Sequence, residues 1–137
     1  MLRPEVIRRR LQKLDEYLAI LDGLRGYRLE EFLANPERYG SAERFLQLAI
    51  EAVLDMGSHV IAELELGSLE SYGDIPRILA EKGYITSELA ERWTRMVGFR
   101  NILVHEYLEI DRKVVYDVLQ HQLEDLRDLR KVFAQFL

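Results

Sequence analysis

The sequence contains no cysteine and only three prolines among its 137 residues. The lack of cysteine excludes disulfide bonds, thiol catalysis and cysteine-ligated zinc sites, and it favours a reducing cytoplasm. No apolar run approaches the ~20 residues of a membrane span, and the first residues are charged instead of forming an apolar signal core. The net charge of −5 argues against a protein that coats nucleic acid indiscriminately, but it permits a local basic site. We therefore expect a cytoplasmic protein without membrane association.

The pattern of isoleucine, leucine and valine predicts helices throughout the chain. These residues recur at steps of three and four, and no segment alternates convincingly with a period of two. A length of 137 residues suits one domain, which we expect to span residues 1–137. A chain of this size buries roughly two-thirds of its unfolded surface, so it needs no covalent staples.

Six helical segments are predicted. Pro4 suits a first helical turn, Ser41 and Asp111 are candidate N-caps, and Gly83 closes a short helix. The segments run from Pro4 to about Leu24, Leu29 to Ala34, Ser41 to about Leu66, Ile75 to Lys82, Thr86 or Ser87 towards Gly98, and Asp111 to about Phe136. Four of them are long and the connections are short, which predicts an all-α, up-and-down four-helix-type bundle with short extra helices.

The apolar stripes on these segments predict which residues form the core. The first segment places Ile7, Leu11, Leu14, Leu18 and Leu21 on one face. The predicted inward residues of the third segment are Phe45, Leu48, Ala49, Ala52, Val53, Met56, Val60 and Ile61. Those of the last segment are Val115, Val118, Leu126, Leu129, Val132 and Phe133.

The segment Arg100-Asn101-Ile102-Leu103-Val104-His105-Glu106-Tyr107 carries the functional signal of the sequence. The spacing Arg100-x4-His105-x-Tyr107, its flanking residues Met96 to Phe99, and the helix from Arg44 to Ile61 together resemble HepT-like proteins of the HEPN superfamily. The resemblance extends over nearly the whole chain.

The resemblance implies a helical, dimeric ribonuclease toxin that works without a metal or another cofactor. It also implies a cognate nucleotidyltransferase antitoxin that can inactivate the toxin by attaching AMP to the motif tyrosine, here Tyr107. Older descriptions of the same family imply a different role, in which the chain is an accessory subunit of a nucleotidyltransferase.

The side chains of the motif suit the cleavage of RNA. Histidine exchanges protons near neutral pH, so His105 is a candidate general acid or base. The guanidinium of Arg100 stays charged and donates two parallel hydrogen bonds to a phosphate. Tyr107 could orient the RNA or stack on a base.

Helical geometry separates these residues. At ~100° per residue, Arg100 and Tyr107 share one stripe, and Asn101 and His105 share another. Arg100 and His105 would then point about 140° apart. Either the helix breaks within the motif or two copies of the motif meet across a homodimer interface, and we favour the second arrangement. Asn101 is a candidate to orient His105 or to bind phosphate.

A polar stripe on the third segment could support the motif. Glu51, Asp55 and His59 are spaced at i, i+4 and i+8, and Asp55 is the strongest candidate for a supporting residue. The stripe could equally be a polar edge beside the core. The basic residues Arg3, Arg8, Arg9, Arg10 and Lys13 could likewise form a binding site or only a solvated face.

Three hypotheses follow from the sequence. The first is a metal-independent endoribonuclease toxin in which Arg100 binds the scissile phosphate and His105 transfers protons. The second is a non-catalytic nucleotide- or RNA-binding accessory subunit of a minimal nucleotidyltransferase. The third is a purely structural helical interaction protein. The sequence favours the first, with RNA as its substrate.

Overall fold

The computed structural model describes residues 2–137. Within that range it contains seven α-helices, one 3-10 turn and no β-strand. The helices are α1 (Pro4–Leu24), α2 (Leu29–Leu33), α3 (Pro36–Glu63), α4 (Asp74–Glu81), α5 (Ser87–His105), α6 (Arg112–His121) and α7 (Leu123–Ala134), and the 3-10 turn is Tyr107–Glu109.

The long helices run alternately up and down. Arg3 pairs with Glu63 near one end of α1 and α3, and the Tyr17 and Phe45 rings are 5.9 Å apart near the other end, so these two helices are antiparallel. α5 is antiparallel to α3 and α7 is antiparallel to α1. The predicted all-α, up-and-down bundle is therefore confirmed.

α3 forms the centre of the bundle and contacts all six other helices. The predicted stripe of α3 is correct from Ala49 onward, but Phe45 and Leu48 are only half-buried. Leu46, Ile50 and Leu54 are buried instead, because α3 has neighbours on more than one side. A single amphipathic stripe describes a helix at the edge of a bundle and underestimates a central one.

Bulky side chains fill the core between the helices. Trp93 and Phe133 are fully buried and meet edge to face at 5.9 Å, which joins α5 to α7. Burying a side chain of this size stabilises the fold by roughly 1.5–3 kcal/mol. The predicted inward residues of α1, α6 and α7 are buried, except that Val132 is half-buried.

The start of α3 differs from the prediction. Ser41 lies inside the helix, and the N-cap is Asn35, whose side chain accepts a hydrogen bond from the Glu37 N–H at 2.9 Å. Pro36 occupies the first helical position, where its missing N–H costs nothing. The pair Asn35-Pro36 lies between the two helices, directly after the end of α2, and starts α3.

The last predicted helix is two helices. The chain bends at Gln122, between α6 and α7. Next to the bend, the Gln120 side chain donates to the Arg25 carbonyl and Arg25 donates to the Gln120 carbonyl, each at 3.0 Å. These reciprocal bonds fix the end of α6 to the α1–α2 turn, a long-range contact that a local pattern does not contain.

α4 lies unusually close to α3. A Cβ atom added to Gly57 would be 2.5 Å from Ile75 and 3.1 Å from Trp93, so only glycine fits at this helix contact. The contact packs α4 against α3, and Ser58, the next residue of α3, lies beside the loop that precedes α4.

α3 is long and apolar enough to span a membrane by length and composition, but 56% of its most apolar 18-residue window is buried within the bundle. A buried core helix passes the same test, so this property is weak evidence for a membrane span.

Candidate functional site

Arg100 is held firmly against the bundle. Its Nε donates to a carboxylate oxygen of Glu51 at 2.9 Å, and its Nη2 lies 2.8 Å from the same oxygen in the ion pair. Its Nη1 donates to the side-chain oxygen of Asn101 at 3.1 Å, and Gln47 donates to the shared Glu51 oxygen at 3.2 Å. The side chain of Arg100 is 15% exposed and that of Glu51 is 26% exposed. Partial burial reduces solvent screening, so this ion pair restrains Arg100 more than a surface pair would.

An aromatic ring completes the environment of Arg100. The guanidinium carbon lies 5.0 Å from the ring centroid of Tyr72, within the range of a cation–π interaction. Tyr72 belongs to the α3–α4 loop and is 41% exposed. Arg100 therefore contacts groups from α3, from α5 and from this loop.

The helix that carries the motif is regular as far as His105. α5 runs without interruption from Ser87 to His105, and the chain leaves the helix at Glu106, with φ −124° and ψ 34°. A helix break between Arg100 and His105 is therefore excluded. Tyr107 lies in the 3-10 turn and not on the helix, so the predicted common stripe of Arg100 and Tyr107 is wrong.

His105 and Tyr107 point into solvent. His105 is exposed, and within residues 2–137 its side chain makes no hydrogen bond or ion pair. Tyr107 is 67% exposed and its neighbour Leu108 is 86% exposed. In contrast to Arg100, this part of the motif has no neighbour in the same chain that fixes its orientation.

Two predicted supporting residues have other contacts. Asn101 accepts its hydrogen bond from Arg100 and makes none with His105. Asp55 lies 3.8 Å from the Arg10 guanidinium of α1 and does not contact the motif. The ion pair with Arg100 is formed instead by Glu51, which lies one turn earlier on α3. Asp55 therefore stays a prediction without a contact to the motif, and Glu51 is the α3 carboxylate that contacts Arg100.

Burial and charge together perturb Asp55. Desolvation by the surrounding protein raises the pKa of its carboxyl above the ordinary value, and the nearby Glu51 carboxylate adds to this rise. Arg10 opposes both effects and lowers the same pKa. Asp55 is thus part of a row of charges that crosses from α1 over α3 to α5.

Tyr72 was not among the site residues predicted from the sequence. Glu51 was in the stripe that could approach the motif, and the spacing alone could not distinguish it from Asp55. Nothing in the sequence connects Tyr72 with Arg100, because they are 28 residues apart and meet only through the packing of α4 on α3.

An exposed apolar surface lies beside the end of the motif. Eight large apolar side chains are exposed within residues 2–137, and four of them are close together in the chain here: Ile102, Tyr107, Leu108 and Val114. A depression of about 260 Å³ opens among them, lined by Phe99, Ile102, Glu106, Glu109, Ile110, Asp111 and Val114. We name this area, from Ile102 to Val114, the motif-end surface.

No group of three or more histidine, aspartate or glutamate side chains is placed to hold a metal ion in the part of the chain that the structure describes.

Comparison with known families gives a match over most of the chain. The family described as ribonuclease HepT-like matches residues 7–133. The chain belongs to the HepT-like ribonuclease family. The resemblance inferred from the motif is therefore confirmed.

Two relatives of this HepT-like chain have named activities. It is 40% identical to the mRNA nuclease HepT of Shewanella oneidensis over 92 residues, which are 67% of this chain and 64% of that protein. It is 31% identical to the tRNA nuclease HepT of Aphanizomenon flos-aquae over 125 residues, which are 90% of this chain and 84% of that protein. The first alignment spans slightly less than two-thirds of the relative.

A solved structure of a related toxin has the same fold. The tri-AMPylated HEPN toxin of Shewanella oneidensis, in complex with an MNT antitoxin, superposes with a TM-score of 0.88 at 28% sequence identity. The match covers 95% of this chain and 97% of the toxin chain.

Proposed function

We propose that this protein is a metal-independent endoribonuclease toxin. Its anchored Arg100 binds the scissile phosphate, and His105 transfers protons between the 2′-hydroxyl and the leaving 5′-oxygen. The observation that carries the proposal is the state of Arg100, which is oriented by Glu51 and Asn101 yet remains partly accessible. The two named nuclease relatives support the same reaction class.

The geometry of Arg100 leaves hydrogen-bond donors for a phosphate. A guanidinium has five N–H groups. Its Nε donates to Glu51, its Nη2 faces the same carboxylate in the ion pair, and its Nη1 donates to Asn101, which leaves at least one N–H on each terminal nitrogen. Two such groups can donate in parallel to two oxygens of one phosphate. Glu51 and Asn101 thus orient the arginine without occupying all of its donors.

We propose further that the active nuclease is a homodimer. Because α5 is regular, Arg100 and His105 diverge by about 140° within one chain. Gly98, Ile102 and His105 are exposed at i, i+4 and i+7 on the same side of α5, and this side adjoins the motif-end surface. A second copy on this face would cover apolar groups and bring the two motifs into one cleft.

Tyr107 is the proposed site of inactivation. Its hydroxyl is attached to an exposed ring in the turn beside His105, so a nucleotidyltransferase antitoxin could reach it. An attached AMP would place bulk and negative charge where the RNA phosphate must approach. AMPylation of the related Shewanella toxin and its complex with an antitoxin support this proposal.

The test is cleavage of defined single-stranded RNAs in EDTA by unmodified protein. We expect Arg100→Ala and His105→Ala to abolish cleavage while the helical circular dichroism spectrum is unchanged. His121→Ala is the matched control, since His121 is also an exposed histidine at the last position of a helix. Full cleavage by His105→Ala protein would refute the proposal, and RNA binding without any cleavage by the wild type would support the accessory-subunit function instead.

A further inference from the structure

The loop that carries Tyr72 is built as a rigid support beside Arg100. The Asp74 carboxylate accepts hydrogen bonds from the backbone N–H groups of Glu70 and Ser71, at 2.9 and 3.2 Å. These bonds favour the ionised carboxylate and lower the pKa of Asp74. The close contact of α4 with Gly57 fixes the other side of the loop. Tyr72 is therefore an exposed aromatic side chain on an ordered turn.

A depression adjoins the same tyrosine ring. It has a volume of about 350 Å³ and is lined by Ser58, Leu69, Glu70, Ser71, Tyr72 and Ile75. Tyr72 thus contacts Arg100 and also forms part of the wall of this depression. The lining residues combine one aromatic and two aliphatic side chains with two serines and one glutamate, a composition that suits a flat, partly polar ligand.

We propose that this depression is a nucleobase subsite, in which Tyr72 stacks on the base of a nucleotide next to the phosphate bound by Arg100. The proposal rests on the function proposed above. Sequence-specific proteins recognise single-stranded RNA largely by stacking unpaired bases on aromatic side chains and by bonding their edges. Direct contact between the arginine and the tyrosine places a phosphate site and a stacking surface side by side, as the phosphate and base of one RNA strand require.

The polar groups of the depression give the subsite a base preference. The Glu70 carboxylate can accept a hydrogen bond from an exocyclic amino group, which adenine, cytosine and guanine carry and uracil lacks. Ser58 and Ser71 can each donate or accept. We therefore expect the subsite to favour amino-bearing bases over uracil, which offers a carboxylate only its ring N3–H, and Glu70 is the residue that sets this preference.

The experiment is a double-mutant cycle between the protein and the RNA. Cleavage is measured for an intact RNA and for RNAs with an abasic ribose on either side of the cleaved phosphate, with wild-type and Tyr72→Ala proteins. Removal of one base–aromatic stack costs about 5- to 150-fold in kcat/KM. We expect this loss for one abasic position in the wild type and no further loss in Tyr72→Ala. Tyr72→Phe should keep the abasic penalty of the wild type, because the ring remains.

Two further variants sharpen the cycle. Glu70→Gln should reduce the ratio of kcat/KM for RNAs with an amino-bearing base at the chosen site to that for RNAs with uracil there. Tyr84→Ala is the matched control. Tyr84 is 37% exposed and follows α4 in the sequence, whereas Tyr72 precedes it, and its ring contacts Phe136 instead of Arg100.

The outcomes separate this inference from the proposed function. If the wild type cleaves intact and abasic RNAs equally, the subsite is refuted and the nuclease function stands. An equal abasic penalty in wild-type and Tyr72→Ala proteins also refutes it. If no RNA is cleaved, the nuclease function fails, and the same cycle run on the binding of RNAs with a 2′-deoxy nucleotide at the chosen site still tests the subsite.

Discussion

The two halves of the motif differ in how the protein holds them. Arg100 and Asn101 lie on the regular part of α5, and Arg100 contacts Glu51 and Tyr72. His105 and the following turn project from the end of the same helix and are exposed. Arg100 and Asn101, here called the anchored half, are oriented by their own chain before any ligand binds. His105 and the turn that follows it, here called the exposed half, have no such support.

This difference indicates where the missing support must come from. Phosphate binding benefits from a guanidinium that is already oriented, because no ordering cost remains when the substrate binds. Proton transfer needs a histidine of defined orientation, and one chain does not supply it here. A second copy on the motif-end surface is the partner that we propose, and RNA itself could complete the arrangement.

The largest expected effect is on the exposed half. We expect Ile102→Asp to convert the proposed homodimer into a monomer and to abolish RNA cleavage, because it places a charge in the proposed apolar interface. Ile102 is 43% exposed, so the substitution should leave the fold of the monomer intact. Sedimentation equilibrium and RNA cleavage measured on the same samples check both statements.

Ile20→Asp is the control for this experiment. Ile20 is 40% exposed on α1, away from the motif in sequence and on a different helix. It should leave the oligomeric state and the cleavage rate unchanged. A monomeric Ile102→Asp protein that still cleaves RNA at the wild-type rate would show that one chain contains the complete site.

The next effect concerns the anchored half. Glu51→Gln removes the charge that orients Arg100, and we expect kcat to fall about 10- to 100-fold, because small misplacements of a positioned group are costly. The KM for RNA should not rise, since the substitution removes a negative charge beside the phosphate site. Steady-state kinetics that show a raised KM with unchanged kcat would contradict a positioning role for Glu51.

Glu43→Gln provides a matched comparison. Glu43 is also a half-buried α3 glutamate that faces an arginine, Arg112, at 3.9 Å. Burial raises the pKa of Glu43, so its charge is already disfavoured in the folded protein. Its replacement should leave RNA cleavage unchanged. The comparison then shows that the effect of Glu51→Gln comes from the lost contact with Arg100 and not from the loss of any half-buried carboxylate on α3.

The sequence predicted the local features of this molecule better than its long-range contacts. The bounds of α1, the N-cap at Asp111, the start of α5 at Thr86 or Ser87 and the closure of α4 at Gly83 depend on neighbouring residues and were predicted correctly. The bend between α6 and α7 and the Arg100–Tyr72 contact depend on residues far apart in the chain, so no local pattern contained them.

The same distinction applies within the candidate site. The resemblance to HepT-like proteins singled out Arg100, His105 and Tyr107, and helical geometry showed that Arg100 and His105 diverge. The prediction favoured Asp55, whereas Glu51 is the residue that contacts Arg100. Spacing could not distinguish the two, because both lie on one stripe of α3. The choice depends on how α5 is rotated and placed against that stripe, which is a property of the assembled core.

A third prediction tests how much the close contact of α3 and α4 contributes to the stability of the fold around the anchored half. Gly57→Ala should lower the free energy of unfolding by about 1–3 kcal/mol, because the added methyl group overlaps Ile75. Gly40→Ala in the same helix meets no atom within 4 Å and should raise stability by roughly 0.5–1 kcal/mol. Urea denaturation of both variants measures the difference, and equal stabilities would contradict the packing argument.

The smallest expected effect is at Asp55, beside the anchored half but not part of it. Its raised pKa means that the folded protein disfavours the ionised carboxylate, so this penalty develops as the pH rises from the ordinary value of the group to the raised one. Asp55→Asn should therefore be slightly more stable than the wild type at neutral pH, by less than about 1 kcal/mol because the side chain is 44% exposed.

This advantage of Asp55→Asn should disappear as the pH falls below the range in which Asp55 takes up its proton, and thermal unfolding at several pH values measures it. RNA cleavage by the variant should equal that of the wild type, since Asp55 contacts Arg10 and not Arg100. A fall in kcat would instead mean that the charge of Asp55 affects Arg100 through its electrostatic interaction with Glu51. The groups that orient Arg100 would then include Asp55 and Arg10 as well.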